Sequence, residues 1–241
     1  MSIFATAGHH RIPCRLSVTI QIIINMKQFL VLLFIIGIAV ISAAQSADNA
    51  PTTSEGLYDL AMRYYNGDGV AQDHAKALTW FRKAAEQGHA DAQFALGYIY
   101  TYDEDIPHNY AEAIKWYTKA ADQQNRNACY NLGLLYLYGE GVEQNEALAM
   151  KWFRRSADLG FAEAQFNLGC AYENGTGVEQ NYTEAVNWYR KAAEQGYAPA
   201  QYNLGYCYEM GYGVAADKSE AIKWYHKAAE QGNMQAKLAL D

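Results

Sequence analysis

Five tryptophans, Trp80, Trp116, Trp152, Trp188 and Trp224, stand 36 residues apart, and they are all the tryptophans the chain has. A fixed period of that length is the mark of a tandem array, in which each unit is one supersecondary element that buries its apolar face only against its neighbours. Other positions keep the same register. Leu60, Leu96, Leu132, Leu168, Leu204 and Leu240 repeat it six times, and a glycine-rich stretch recurs as "NGDGV" at 66, "YGEGV" at 138, "NGTGV" at 174 and "MGYGV" at 210. One such stretch alone would look like a phosphate or metal cradle. Four copies in register read as a structural turn.

Each unit reads as two helices. In the first, Ala164, Leu168 and Tyr172 lie four residues apart on one stripe, the spacing of a packing face. Glycine, which tolerates a left-handed backbone, ends that helix. The second helix begins at a column of Asp73, Asn109, Asn145, Asn181 and Asp217, side chains suited to cap free amides, with Glu112, Glu184 and Glu220 completing capping boxes. It runs through the tryptophan and stops at Gly88, Gly160, Gly196 or Gly232. Ala61, Gly97, Gly133, Gly169 and Gly205 face Ala77, Ala113, Ala149, Ala185 and Ala221, small residues that let helix axes approach closely, while the tryptophan and the aromatic after it fill the space between units.

The residues before the array differ in kind. Phe29 to Ala44 carry no charge, with Lys27 just before and Ser42-Ala43-Ala44 at the end, the pattern of a secretory signal peptide. The stretch is shorter than the roughly 20 residues of a membrane span. Residues 1–25 are then a mis-assigned upstream extension with Met26 as initiator, 26–44 the signal peptide, and 45–54 a flexible lead. The expected location is exported, periplasmic or secreted, with membrane contact only if the segment stays uncleaved. Loss of residues 1–44 removes Arg11, Arg15 and Lys27 and no acid, moving the formal charge from −7 to −10. That disfavours nucleic acid, whose phosphates need a basic footprint.

The run A-x-A-Q-x-x-L-G-x-x-Y-x-x-G-x-G-V, followed by Asx, K/E-A and W-Y/F-x-K-A-A-E-Q-G, resembles the Sel-1-like repeat, a relative of the tetratricopeptide repeat. The resemblance covers residues 55–241, as units of about 55–89, 90–125, 126–161, 162–197 and 198–233 with a capping helix at 234–241. It implies an all-α fold: a right-handed α-solenoid of antiparallel helix pairs, five full repeats plus a C-terminal half repeat, with a concave face lined by the first helices. It also implies a monomeric adaptor whose partner is a protein or peptide.

Carried onto this chain, the groove-facing columns are Tyr58, Phe94, Tyr130, Phe166 and Tyr202, and one turn later Met62, Tyr98, Leu134, Cys170 and Tyr206. The first column either faces the groove or pads neighbouring helices. Further along lie Tyr65, Tyr102, Leu137, Tyr138, Glu173, Glu209 and Met210, a mixture of rings and acids suited to an extended or helical peptide with apolar anchors and a basic residue. The column Lys83, Lys119, Arg155, Lys191 and Lys227, three residues before Glu86, Asp122, Asp158, Glu194 and Glu230, reads as solvated pairing.

Unit two departs from the pattern. It reads "YDEDIPHN", with Asp103 and Asp105 in the glycine columns, and Gln124 replaces the glycine that ends the second helix. Three acids in a row are compatible with a hard cation, but the spacing is not that of a calcium loop, and the reading adopted is a solvated turn with no metal and no cofactor.

No catalytic constellation emerges. Ser-x-x-Lys with Lys-Thr-Gly, H-E-x-x-H and C-x-x-C are all missing. The resemblance supplies one alternative function, β-lactam binding or hydrolysis, associated with a cysteine-rich exported branch of the family that pairs cysteines within each repeat. This chain lacks that pairing pattern. Cys170 and Cys207 lie on neighbouring first helices, but usual helix spacing is wider than a disulfide allows, so free thiols are expected.

Overall fold

The computed structural model describes residues 51–240, and the expected export segment lies outside them. Eleven helices follow one another: α1 Ser54–Asn66, α2 His74–Glu86, α3 Ala90–Tyr102, α4 Tyr110–Asp122, α5 Arg126–Tyr138, α6 Glu146–Asp158, α7 Ala162–Asn174, α8 Tyr182–Glu194, α9 Ala198–Met210, α10 Lys218–Glu230 and the short α11 Met234–Leu240. They form a right-handed solenoid of five antiparallel helix pairs with a final half repeat. Among like helices, α3 and α5, two first helices, have backbones in contact. No helix of the described residues is long and apolar enough to cross a membrane.

Helix boundaries follow from backbone chemistry. Gly67, Gly139, Gly175 and Gly211 take φ between 73° and 80° and close α1, α5, α7 and α9. Each second helix is opened by its Asx side chain, Asn181 accepting from Glu184 N at 3.1 Å for example. The reciprocal half of the capping box is absent. The Asn181 amide donates instead to Tyr172 O at 2.8 Å, as Asn109 does to Tyr100 O and Asp217 to Tyr208 O, so the amide that a glutamate would have taken ties the two helices of the hairpin together.

The small-residue columns do what their size allows. A Cβ on Gly169 would stand 2.4 Å from the Tyr189 ring, and Gly97, Gly133 and Gly205 are similarly closed off by Tyr117, Phe153 and Tyr225. The tryptophans join successive units. Trp188 shares an apolar cluster with Ala149, Met150 and Phe153 of the preceding second helix, and Trp224 one with Ala185, Val186 and Tyr189. Trp116, Trp188 and Trp224 are buried and Trp80 and Trp152 half-buried.

Between units runs a buried polar ladder. Gln165 Nε2 donates to Ala157 O of the preceding unit at 3.0 Å, and its Oε1 accepts from Gln195 at 2.7 Å. Gln93 with Gln123 and Gln201 with Gln231 repeat this. The third unit replaces the pair with Cys129 and Leu159, an apolar substitution made on both sides at once.

A face of tyrosines on the first helices

The five first-column aromatics are half-buried, and each packs on the aromatic that follows the tryptophan in its own unit: Tyr58 on Phe81, Phe94 on Tyr117, Tyr130 on Phe153, Phe166 on Tyr189 and Tyr202 on Tyr225, with ring centroids 5.4–5.9 Å apart. Tyr58, Tyr130 and Phe166 also meet His89, Phe161 and Tyr197, the last residues of their own units. They form a half-buried aromatic floor on the first helices.

The later columns stand above that floor. Tyr98 is 44% exposed, Tyr102 41%, Tyr138 67% and Tyr206 36%, whereas Leu134, Met62 and Cys170 are half-buried. Tyr98 and Tyr102 lie 5.1 Å apart, next to Phe94. A second group gathers at the other end: Tyr206 and Tyr182 flank Tyr212 at 6.0 and 5.2 Å, with Met210 also exposed. Tyr182 and Tyr212 belong to no groove column, because one opens a second helix and the other sits in the next unit's glycine loop. They lie in neighbouring units, thirty residues apart, and so share no column of the repeat.

The two groove acids are engaged from behind. Tyr189 Oη donates to Glu173, and Tyr225 Oη to Glu209 at 2.7 Å. Burial raises both tyrosine pKa values, followed by Cys170 and then Glu173 for Tyr189 and by Glu209 for Tyr225. One oxygen of each carboxylate is thus held by a hydroxyl of the second helix. Between the groups, Leu137, Tyr138, Phe153, Asn167 and Cys170 help line a hollow of about 150 Å3.

Charge is segregated. The first helices carry Glu55, Asp59, Asp91, Glu163, Glu173 and Glu209 against only Arg63 and Arg126, and the five loops from first to second helix contain acids and no lysine or arginine. The remaining lysines and arginines of the described residues sit on second helices, save Lys237 of α11. Their expected pairing with acids three residues later does not form. Lys83, Lys119, Arg155, Lys191 and Lys227 lie over the indoles of Trp80, Trp116, Trp152, Trp188 and Trp224, 3.7–5.7 Å from the ring centroids. An i−3 indole on the same helix face offers its negative π surface closer than the flexible carboxylate at i+3.

The loop of unit two is not the solvated turn expected from its composition. Asp103 closes α3 with an extended backbone instead of a left-handed one, and its side chain is buried against His74 of the first unit, while Glu104 and Asp105 remain exposed. Gln124 keeps the left-handed conformation of the glycine it replaces, with φ 63°.

The cysteines Cys129, Cys170 and Cys207 are free, and burial raises all three thiol pKa values, Cys207 to about 12. None is an activated nucleophile.

The Sel1 repeat pattern matches residues 54–89, 90–125, 126–161, 162–197 and 198–233. The chain belongs to the Sel1 repeat family. Sel1 repeats are protein-interaction scaffolds. Two solved Sel1-type structures are similar over most of the chain. A protective antigen present in uropathogenic Escherichia coli strains, displaying an SLR fold, matches with TM-score 0.76 and 38% identity over 82% of this chain and 42% of its own. A Sel1 repeat protein from Oxalobacter formigenes matches with TM-score 0.70 and 37% identity over 78% of this chain and 75% of its own. The chain thus spans less than half the length of the Escherichia coli antigen. No curated protein matches it at a significant level.

Proposed function

We propose that this Sel1 repeat protein is an exported, monomeric adaptor that captures a protein or peptide segment bearing apolar anchors and basic residues on its inner face. The observation that carries the reading is the set of exposed tyrosines, Tyr98, Tyr102, Tyr138 and Tyr206, ranged along first helices whose other aromatics are at least half-buried. Exposed aromatic rings supply large contact area at little conformational cost. The acidic first helices and loops select basic segments and repel acidic ones. Export rests on the apolar stretch from Phe29 to Ala44 and its small-residue end.

The test is affinity capture from an envelope fraction with the immobilised protein and its Tyr98→Ala/Tyr206→Ala variant. Both rings are exposed, so helicity measured by circular dichroism should not change. The reading expects the partner retained by the parent to be lost from the variant, and its capture to weaken with added salt. Equal capture by both proteins would move the site off this face.

A further inference from the structure

Where Gly141, Gly177 and Gly213 let their loops close onto Tyr110, Glu146 and Tyr182, the first residues of the preceding second helices, unit two carries Asp105 and meets His74 instead. His74 Nδ1 lies 3.0 Å from Asp103 Oδ2, 3.2 Å from Asp103 Oδ1 and 3.1 Å from Asp105 Oδ2. One nitrogen, with at most one proton, thus faces three carboxylate oxygens. Asp103 Oδ1 is also served by the Asp105 amide at 2.9 Å. Asp103 Oδ2 is fully enclosed, and for all its nearness to Nδ1 it has no directed hydrogen bond; the side chain that carries it is only 2% exposed. A buried carboxylate oxygen that faces two other ligand-type atoms and makes no directed hydrogen bond, with the Tyr65 hydroxyl and His74 as its neighbours, is an electrostatic cost that a cation would remove.

We infer that His74, Asp103 and Asp105 form a site for a first-row divalent cation of the zinc type, held between the first and second units. The three ligand atoms lie within 4.8 Å of one another. With metal bonds of about 2.0–2.1 Å to imidazole nitrogen and carboxylate oxygen, the edge of a coordination tetrahedron is about 3.3 Å, close to the observed nitrogen–oxygen separations. Asp105, whose side chain is 76% exposed, leaves the fourth position to water. An imidazole ligand argues against calcium and magnesium, which take oxygen. The metal-free ring donates from Nδ1 and accepts at Nε2 from Gln72 Nε2 at 3.0 Å. Binding at Nδ1 moves that proton to Nε2, where the Gln72 amide turns its oxygen to receive it, giving up its 2.9 Å bond to Tyr65 O. Because the Tyr65 ring stacks on His74 at 4.7 Å, the ion would also fix one end of the tyrosine face.

Calorimetric titration of the full chain with zinc chloride tests this, alongside cobalt(II) absorption spectra and melting curves. One zinc site is expected, with tetrahedral cobalt bands and a zinc-dependent rise in melting temperature, and no heat with calcium chloride. Asp105→Asn, at an exposed position that leaves the fold intact, should weaken zinc by about tenfold or more and abolish the cobalt bands, as should His74→Gln. Absence of zinc binding, or zinc binding unchanged in both variants, overturns the site and leaves His74 as a hydrogen-bonded clip between units.

Discussion

Tyr189, wholly buried on α8, donates its hydroxyl to Glu173 at the far end of α7. The same two positions vary together along the chain. Tyr225 pairs with Glu209, whereas the third unit has Phe153 opposite Leu137, so a hydroxyl comes with a carboxylate and a plain ring with an alkyl chain. The first two units depart from this: Phe81 meets Tyr65 at 6.2 Å, and Tyr117 faces Thr101, whose hydroxyl donates to Gly97 O at 2.7 Å, leaving the Tyr117 hydroxyl buried without a directed partner.

Glu173→Leu alone should strand the Tyr189 hydroxyl with only Cys170 Sγ nearby at 3.4 Å, and cost about 1–3 kcal/mol in urea titration. Adding Tyr189→Phe, which recreates the arrangement of the third unit, should recover most of that loss. Simple addition of two destabilising effects would show that the pair is not coupled.

Alkaline pH should loosen the stack through its buried thiols and phenols. Burial raises Cys207 from 9.0 to about 12, and raises Tyr117 and Tyr189 above 10.0. Raised folded-state values mean that the unfolded chain gives up these protons first. The stabilisation is therefore complete below pH 9 and is lost as pH rises, from pH 9 for the thiol and from pH 10 for the tyrosines, at up to about 1.4 kcal/mol per pH unit for each group. Urea midpoints flat from pH 8 to 11 would contradict this.

The period, the glycine stops and the Asx caps were legible in the sequence because each is enforced by local backbone chemistry repeated five times. The rings above the inner face were legible for the same reason, since Tyr98 and Tyr206 recur in one column and Tyr102 and Tyr138 in another. The cation over each indole was not, because a spacing of three serves both Lys191 with Trp188 and Lys191 with Glu194, and only geometry decides between them. The Tyr182–Tyr212 contact and the His74–Asp103 pair cross from one unit to the next at offsets that are not 36, and a search by column passes over them. The engagement of Glu173 and Glu209 by core tyrosines was equally hidden: an acid at the end of a first helix looks free until the second helix is laid against it.

Indoles lock each unit to the one before. Trp188 is 3% exposed, with the guanidinium of Arg154 from the preceding unit 4.7 Å from its ring centroid and Lys191 at 3.7 Å. Denaturant titration of Trp188→Ala is the direct measurement. A loss of about 3–5 kcal/mol is predicted for emptying so large a buried volume. A loss below about 1 kcal/mol, the range of ordinary surface changes, would contradict the wedge and with it the rigid inner face that it supports.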